Sequence, residues 1–286
     1  MVIVTGVHFE SVSRVSVSDL YPEPNTVFED RRGNILRWVP DERGERHIWV
    51  PISNIPNVVQ KAFISAEDHR FYSHPGIDLL AILRAVKSNF IEGRIVSGAS
   101  TLTQQLSRLT YPRKRTYYDK LVELLRSLRI EWLLDKDQIL ELYLNRVPLG
   151  NNLVGVSAGS TTYFGKALSR LTSSEAALLA SLPKAPGKLN PYGRNISSLL
   201  ERKSWVLRKM HINGHISSDK LNSSLENTPV LKPKSFPFGA PHFIDRVLPV
   251  SRQGSLKTTI DLRLQKRVEQ VLKSHQFRLK RKTAHQ

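Results

Sequence analysis

Two short polar segments carry the residues best suited to catalysis. The first, AEDHRFYSHPG at residues 66–76, contains the pair Glu67-Asp68 between apolar helical stretches. A carboxylate such as Glu67 can accept a proton from an attacking alcohol, and a well-placed base accelerates a reaction by roughly 10²–10⁴-fold. A helix-borne Glu-Asp pair is, however, usually part of a solvated face. By itself, this segment leaves both interpretations open.

The second polar segment is SGASTLTQQLSR at residues 97–108. Such a run of small hydroxyl and amide side chains makes a poor core and a poor helix. It is suited to hydrogen bonding with a sugar or an amide substrate, although an ordinary loop has a similar composition. The candidate binding residues in this segment are Ser100, Thr101, Gln104, Gln105 and Arg108.

Helices must position both segments, because the pattern is helical from Ile55 to about residue 212. Two capping boxes, Asp135 to Gln138 and Thr172 to Glu175, predict where two of the helices begin. In the segment 117–134, a helical wheel places one apolar stripe opposite a polar face. That arrangement fits a helix whose apolar stripe packs inward and whose polar face lines a cleft, but a polar face of this kind is more often the solvated face of a surface helix. The stripe is Leu121, Leu125, Leu128 and Trp132, and the polar face is Lys120, Glu123 and Ser127.

Turn signals flank this helical region. Segments FEDRRGNILRWVP and ERHIWVPI predict short strands around turns at Gly33-Asn34 and Arg43-Gly44. The segment NTPVLKPKSFPFGAPHF is Pro-rich and predicts a linker. We therefore predict an N-terminal segment at 1–26, a main domain at 27–212, a linker at 213–253 and a final segment at 254–286.

Composition limits the class of protein. Lys and Arg total 43 against 25 acidic residues, a formal net charge of +18, which predicts an anionic partner: nucleic acid, a membrane surface or a phosphorylated substrate. There is no cysteine, which excludes disulfides, thiolate metal sites and cysteine nucleophiles. No apolar run is long enough for a signal sequence or a membrane span.

Taken together, the segments resemble the signatures of glycosyltransferase family 51. They occur in the family's order from about residue 28 to 212, and the GAPHFIDRV and TTIDLRLQ segments further resemble the 1C class of penicillin-binding proteins. Asp119 departs from the pattern, because the third signature usually has Arg there. The matching segments are AEDHRFYSHPGID, GASTLTQQL, RTYYDKLVE, KDQILELYLN and GVSAGSTTYFGKALSRLTSSEAALLASLPKAPGKLNP.

The resemblance implies a mainly α, lysozyme-like fold with a small membrane-facing lobe and short N-terminal strands. Residues 27–212 would then be the peptidoglycan glycosyltransferase domain, and residues 254–286 the truncated start of a transpeptidase module. The reaction implied is polymerisation of lipid II into β-1,4 glycan strands with release of undecaprenyl diphosphate. Glu67 is implied as the general base and Glu123 as a donor-site carboxylate.

The leaving diphosphate is already anionic and needs cations rather than a proton. We therefore expect Arg108, Arg115, Lys120 and Lys136 to bind it, and we expect these cations to lower the pKa of Glu67. The resemblance also implies a divalent cation, Mg²⁺ or Mn²⁺. Substrate contacts are expected from the residues Asp68, Ser100, Thr101, Gln104 and Gln105.

The implied partners are lipid II, the growing glycan strand, a membrane surface and other cell-wall synthesis proteins. The implied location is the periplasmic face of the bacterial inner membrane, and we expect this chain to lack both the membrane anchor and the transpeptidase module of such relatives. Two alternatives remain within this reading: a lytic muramidase and an inactive truncated remnant. A nucleic-acid-binding protein is suggested by the basic tail KSHQFRLKRK, but no binding motif or aromatic platform supports it, so no nucleic acid is expected.

Overall fold

The structure is a computed structural model, and its contacts divide the chain into two compact units. The first unit falls within residues 1–22 and 47–233, and the second within 23–46 and 234–286. This division differs from the boundaries predicted from sequence, because it places residues 23–46, including the predicted strand segment FEDRRGNILRWVP, in the second unit. The residues that the structure describes are 15–21, 25–92, 100–114, 116–193, 195–248 and 254–283.

The first unit is built of helices, as the prediction of a mainly α fold requires. Short 3-10 turns at Ile52–Asn54, Phe71–Ser73, Leu168–Arg170 and Leu182–Lys184, and a π-helical turn at Ser160–Phe164, connect them. One short strand, β4 (Leu153–Val154), also lies here. The helices are α1 (Val17–Leu20), α2 (Asn57–Glu67), α3 (Leu79–Glu92), α4 (Leu102–Thr110), α5 (Tyr117–Leu133), α6 (Lys136–Arg146), α7 (Val156–Gly159), α8 (Ser173–Ser181), α9 (Ile196–Ile212) and α10 (Ser218–Glu226).

Helix α8 lies at the centre of this unit. Every one of its residues is buried, and its buried polar side chains have partners, such as the Asn227 carbonyl for Ser174 and Lys166 for Glu175. Helices α2 and α9 pack against it, while α4 packs against α5 and α6. Both predicted capping boxes are present, at Asp135 before α6 and at Thr172 before α8. The local sequence therefore determines where these two helices begin.

The prediction for the apolar stripe of α5 is wrong. Leu121 and Leu128 are exposed and Trp132 is 73% exposed, whereas Ser127 on the predicted cleft side is fully buried. Arg126 is also buried, where its guanidinium stacks over the Tyr111 ring at 4.5 Å. The face directed inward carries the apolar side chains of Val122 and Ile130 together with Arg126 and Ser127.

Helix α3 also has large apolar side chains that are exposed to solvent. Only Ala85 among its described side chains is fully covered. Within the described residues, no helix combines the length and the apolar character needed to cross a membrane. The large exposed apolar side chains of α3 are Leu79, Leu80, Leu83, Val86, Phe90 and Ile91.

The second unit contains a small sheet in the order β2-β1-β5. Strands β1 (Val27–Glu29) and β2 (Ile35–Trp38) are antiparallel and are joined by a turn in which Gly33 has a φ of +81°, as the Gly33-Asn34 turn signal predicts. Strand β5 (Ser255–Lys257) pairs in parallel with β1. Phe28, Leu36 and Ile244 form its core. The unit's remaining elements are β3 (Arg46–His47, at the boundary with the first unit), α11 (Pro241–Val247) and α12 (Leu262–Thr283).

The segment predicted as a linker, 213–253, contains regular structure. Helix α10 begins after Ser217, whose side chain accepts a hydrogen bond from the Lys220 backbone N–H. Helix α11 follows after a stretch without regular elements. The weak periodicity of α10 in the sequence reflects its exposure, since Ser224 is its only buried residue.

Candidate active site

Glu67 is the last residue of α2, and one of its oxygens is held by an amide. Gln105 on α4 donates from Nε2 to Glu67 Oε2 at 2.9 Å. The hydroxyl of Tyr143 on α6 donates to Gln105 Oε1 at 3.3 Å. The other carboxylate oxygen, Glu67 Oε1, is buried and has no hydrogen-bond partner among the described residues. The described residues thus leave the acceptor capacity of this oxygen unused.

The pKa of Glu67 is raised above its usual value, contrary to the prediction from nearby cations. The main cause is burial, which disfavours the charged form. The hydrogen bond from Gln105 and the charges of Arg202, Lys184 and Arg108 oppose that shift without reversing it. A raised pKa suits a general acid as well as a base, so it does not separate the transferase from the muramidase reading.

The side chains of Asp68 and Thr101 point into the protein interior, where their hydrogen bonds connect the two polar segments. The Asp68 carboxylate accepts from His74 Nε2 at 3.0 Å and from the Leu102 backbone N–H at 3.0 Å. The Thr101 hydroxyl donates to the Gly76 carbonyl at 2.6 Å and caps α4. Both side chains are buried. Their position makes them supports of the site, although they were expected to contact substrate.

Lys120 lies at the centre of a second polar cluster. Its Nζ donates to Ser100 Oγ at 2.9 Å and to Gln104 Oε1 at 3.3 Å, and it forms an ion pair with Glu123. Arg108 Nη1 lies 3.9 Å from the other Glu123 oxygen. The structure thus brings together five of the residues that the sequence pattern selected.

This cluster borders a cavity of about 970 Å³. Among the described residues, six Lys and Arg side chains line it, against the carboxylates of Asp119 and Glu123. Arg108 and Lys184 belong to the lining and also act electrostatically on Glu67. The lining cations are Arg108, Arg113, Lys114, Lys120, Arg126 and Lys184.

The lining cations Arg113, Arg126 and Lys184 were not among the site residues predicted from the sequence. Lys120 and Glu123 line the cavity as predicted for the polar face of α5, whereas Arg126 was not assigned to that face. Lys184 lies after Pro183, outside either polar segment, and only its place in the fifth signature could have pointed to it. Arg113 lies 3.3 Å from Asp119, the residue that replaces the usual Arg. A cation therefore remains beside this position.

One predicted diphosphate ligand, Lys136, is absent from the cavity lining formed by the described residues. Lys136 donates to the His74 carbonyl at 2.7 Å and to Glu131 at 2.8 Å, and its ammonium lies over the Phe71 ring. The Lys136 side chain therefore holds the loop after α2 in place through these contacts and does not line the cavity. Arg115 lies outside the described residues.

One group of side chains in the described part of the chain has potential metal ligands close together. The ligand atoms of Asp68, His74 and Asp78 lie within 4.8 Å of one another. Asp68 is already engaged with His74, and Asp78 faces the guanidinium groups of Arg70 and Arg84 at 3.7 and 3.8 Å. Because Asp78 faces two guanidinium groups and Asp68 accepts hydrogen bonds from His74 and Leu102, these carboxylates already have protein partners.

Comparison with known proteins identifies the family. A family model described as Transglycosylase matches residues 32–211. The chain belongs to the transglycosylase family, and the resemblance inferred from the five segments is confirmed.

Several curated relatives are penicillin-binding proteins. The chain is 38% identical to penicillin-binding protein 1C of Escherichia coli K12, over 81% of this chain and 30% of the relative. It is 40% identical to penicillin-binding protein 1A of Aquifex aeolicus, over 78% of this chain and 32% of the relative. A crystal structure of penicillin-binding protein 1A from Haemophilus influenzae aligns with a TM-score of 0.46 at 23% identity, over 85% of this chain and 28% of that one. The chain thus spans about a third of the length of these curated relatives.

Proposed function

We propose that this chain is a peptidoglycan glycosyltransferase that polymerises lipid II into β-1,4 glycan strands and releases undecaprenyl diphosphate. The observation that carries the proposal is the cation-rich cavity beside a buried carboxylate. Six Lys and Arg side chains among the described residues line it. A diphosphate leaving group needs such positive charge, whereas the sugar leaving group of a glycosidase needs a proton from a carboxylic acid.

In the proposed reaction, Glu67 accepts the proton of the acceptor sugar's 4-hydroxyl. The oxygen then bonds to the anomeric carbon of the donor as the bond from that carbon to the diphosphate breaks, with inversion. Lys120 and Arg108 stabilise the departing diphosphate, and Glu123 orients these two cations through its ion pairs. Ser100, Gln104 and Lys120 form one hydrogen-bonded group, so these side chains shape the donor part of the cleft together.

A divalent cation, Mg²⁺ or Mn²⁺, is implied by the family resemblance, but the cleft residues do not fit it well. Mg²⁺ prefers carboxylate and phosphate oxygens with several retained waters. The two carboxylates among the described lining residues are each paired with protein cations, Asp119 with Arg113 and Glu123 with Lys120. The proposed reaction therefore contains no metal-dependent step, and the protein cations neutralise the diphosphate.

The proposed substrate has a long lipid, and the apolar surface of α3 suits a membrane interface. Its exposed Leu, Val, Phe and Ile side chains accompany Arg84 and Lys87, which favours contact with anionic headgroups. The family resemblance implies that this membrane contact is at the periplasmic face of the bacterial inner membrane. The growing glycan strand is a substrate as well as a product, and other cell-wall synthesis proteins are expected partners.

Supplying two substrates separates synthesis from lysis. The protein should convert detergent-solubilised lipid II into polymer and release no soluble fragments from purified sacculi. Glu67→Gln should reduce polymerisation by about 10²–10⁴-fold, because the amide cannot accept the proton. Polymer length and yield are measured by gel electrophoresis of labelled lipid II.

The stability of Glu67→Gln provides the control for this experiment. Because the pKa of Glu67 is raised in the folded protein, ionisation above that pKa costs free energy of folding. The Gln variant should therefore unfold at the same or a higher temperature at pH 8. Retention of more than a tenth of the activity would exclude Glu67 as the base. Soluble fragments from sacculi without polymer from lipid II would establish a muramidase, and inactivity in both assays would favour a remnant.

A further inference from the structure

We infer that Tyr143 is a positioning residue that fixes the amide of Gln105, and thereby assigns Glu67 Oε1 as the oxygen that accepts the proton. The inference rests on the proposed function, since it deepens the role of Glu67. It concerns three side chains from three helices, α2, α4 and α6. Tyr143 itself does not touch the reacting atoms.

The side chains form a directed chain of hydrogen bonds. The Tyr143 hydroxyl donates to Gln105 Oε1 at 3.3 Å, and Gln105 Nε2 donates to Glu67 Oε2 at 2.9 Å. Tyr143 is fully buried and its ring packs edge-on against Phe63, with centroids 6.3 Å apart. Helix packing therefore determines where its hydroxyl lies.

The direction of this chain follows from the chemistry of its ends. Burial and the charge of Glu67 raise the pKa of Tyr143 well above its usual value, so its hydroxyl keeps its proton and acts as a donor. An ionised carboxylate can only accept. A Gln amide between a donor and an acceptor has one favourable orientation, with Oε1 toward Tyr143 and Nε2 toward Glu67. The reversed amide would place two oxygens against each other at Glu67.

This orientation distinguishes the two oxygens of Glu67. Oε2 is occupied by Gln105, whereas Oε1 is buried without a hydrogen-bond partner among the described residues. The free oxygen is the one that can take the acceptor's proton. The charged and titratable groups that act on Glu67 are Arg202 on α9, Lys184 after α8, Arg108 on α4 and Tyr143 on α6.

Tyr143→Phe tests the inference, because it removes only the hydroxyl. Gln105 can then reverse, and an amide oxygen beside Glu67 favours the protonated carboxyl. In the pH dependence of kcat, the acidic limb is the fall in rate as Glu67 becomes protonated. This limb should therefore move to higher pH by about 0.5–1 unit. Gln105→Leu, which removes the donor, should move it by about one unit or more. Adding Tyr143→Phe to Gln105→Leu should change the limb by less than about 0.3 unit, because Tyr143 acts through Gln105.

Tyr163→Phe is the matched control. Tyr163 is also fully buried, and its hydroxyl donates to the Leu149 carbonyl at 2.7 Å, away from Glu67. Its loss should lower thermal stability by a similar amount and leave the pH profile unchanged. Should Tyr143→Phe fail to fold, Phe63→Leu provides a second test, because it removes the ring that packs against Tyr143 and keeps the hydroxyl. A less firmly held Tyr143 should again move the acidic limb to higher pH, and an unchanged limb would contradict the inference.

The outcomes separate this inference from the proposed function. An acidic limb in Tyr143→Phe that matches that of Tyr163→Phe, while Glu67→Gln is inactive, overturns the role of Tyr143 and leaves the polymerase intact. Failure of the wild-type chain to polymerise lipid II, or an active Glu67→Gln variant, overturns the proposed function and this inference with it. The inference is supported if Tyr143→Phe and Gln105→Leu each move the acidic limb to higher pH and their shifts are not additive in the double variant.

Discussion

Replacing Lys120 with Met removes the cation on which the proposed donor site depends. Lys120 contacts Ser100, Gln104 and Glu123, so its ammonium has a defined position. A charge-assisted hydrogen bond to a phosphate oxygen is worth about 1.5–3 kcal/mol, which corresponds to a loss of about 10- to 150-fold in kcat/KM. The side chain of Lys120 is 47% exposed, so its ion pair contributes at most about 1 kcal/mol to folding.

The assay measures initial rates of polymerisation over a range of lipid II concentrations, beside thermal unfolding of each variant. Lys120→Arg keeps the charge but not the geometry and should lose less than Lys120→Met. Lys220→Met, which changes an exposed lysine outside the cavity lining, should behave as wild type. A loss below about threefold in a folded Lys120→Met protein would refute the assignment of Lys120 to the diphosphate.

Two further predictions concern Lys136 and α3. Lys136→Met should lower the free energy of unfolding by about 1–3 kcal/mol, because Glu131 and the His74 carbonyl lose a charged donor, while KM for lipid II stays within about twofold in an assay below the unfolding temperature. A large rise in KM with unchanged stability would return Lys136 to the donor site. Leu83→Gln with Phe90→Gln should weaken binding to anionic vesicles by about 10²-fold or more, because each of the two exposed apolar side chains loses about 1.5–3 kcal/mol of transfer free energy. Flotation should show reversible, salt-sensitive binding for the wild type, and equal binding of the two proteins would contradict the membrane role of α3.

The helical pattern predicted where elements begin, but it could not determine which side of α5 faces inward. Leu121, Leu128 and Trp132 recur at helical spacing, and apolar stripes usually pack inside. In the structure Trp132 is exposed, while Arg126 stacks on Tyr111 in the interior. Which face of α5 is buried depends on residues outside this helix that pack against it. A helical wheel drawn for residues 117–134 alone does not include those residues.

The two polar segments identified the site, but not the division of labour within it. Glu67 and Asp68 are adjacent in sequence, yet Glu67 is hydrogen-bonded to Gln105, whereas Asp68 is hydrogen-bonded to His74. Lys136 looked like a donor ligand because of its charge, and its partner His74 lies 62 residues away. Sequence shows which side chains can do chemistry, whereas only packing decides which of them face the substrate.

The raised pKa of Glu67 and the cationic cavity are parts of one electrostatic balance. Burial makes a carboxylate a stronger base once it is ionised, but it also favours the protonated form. Arg108 and Lys184 oppose that effect because they border the cavity and act on Glu67. A diphosphate bound in the proposed donor site would neutralise part of their charge and raise the pKa of Glu67 further. The neutral amide of Gln105 would keep its hydrogen bond to the carboxylate in both states, because it carries no charge for the donor to neutralise. This difference explains why an amide beside the base is useful in a cleft that is otherwise lined by cations.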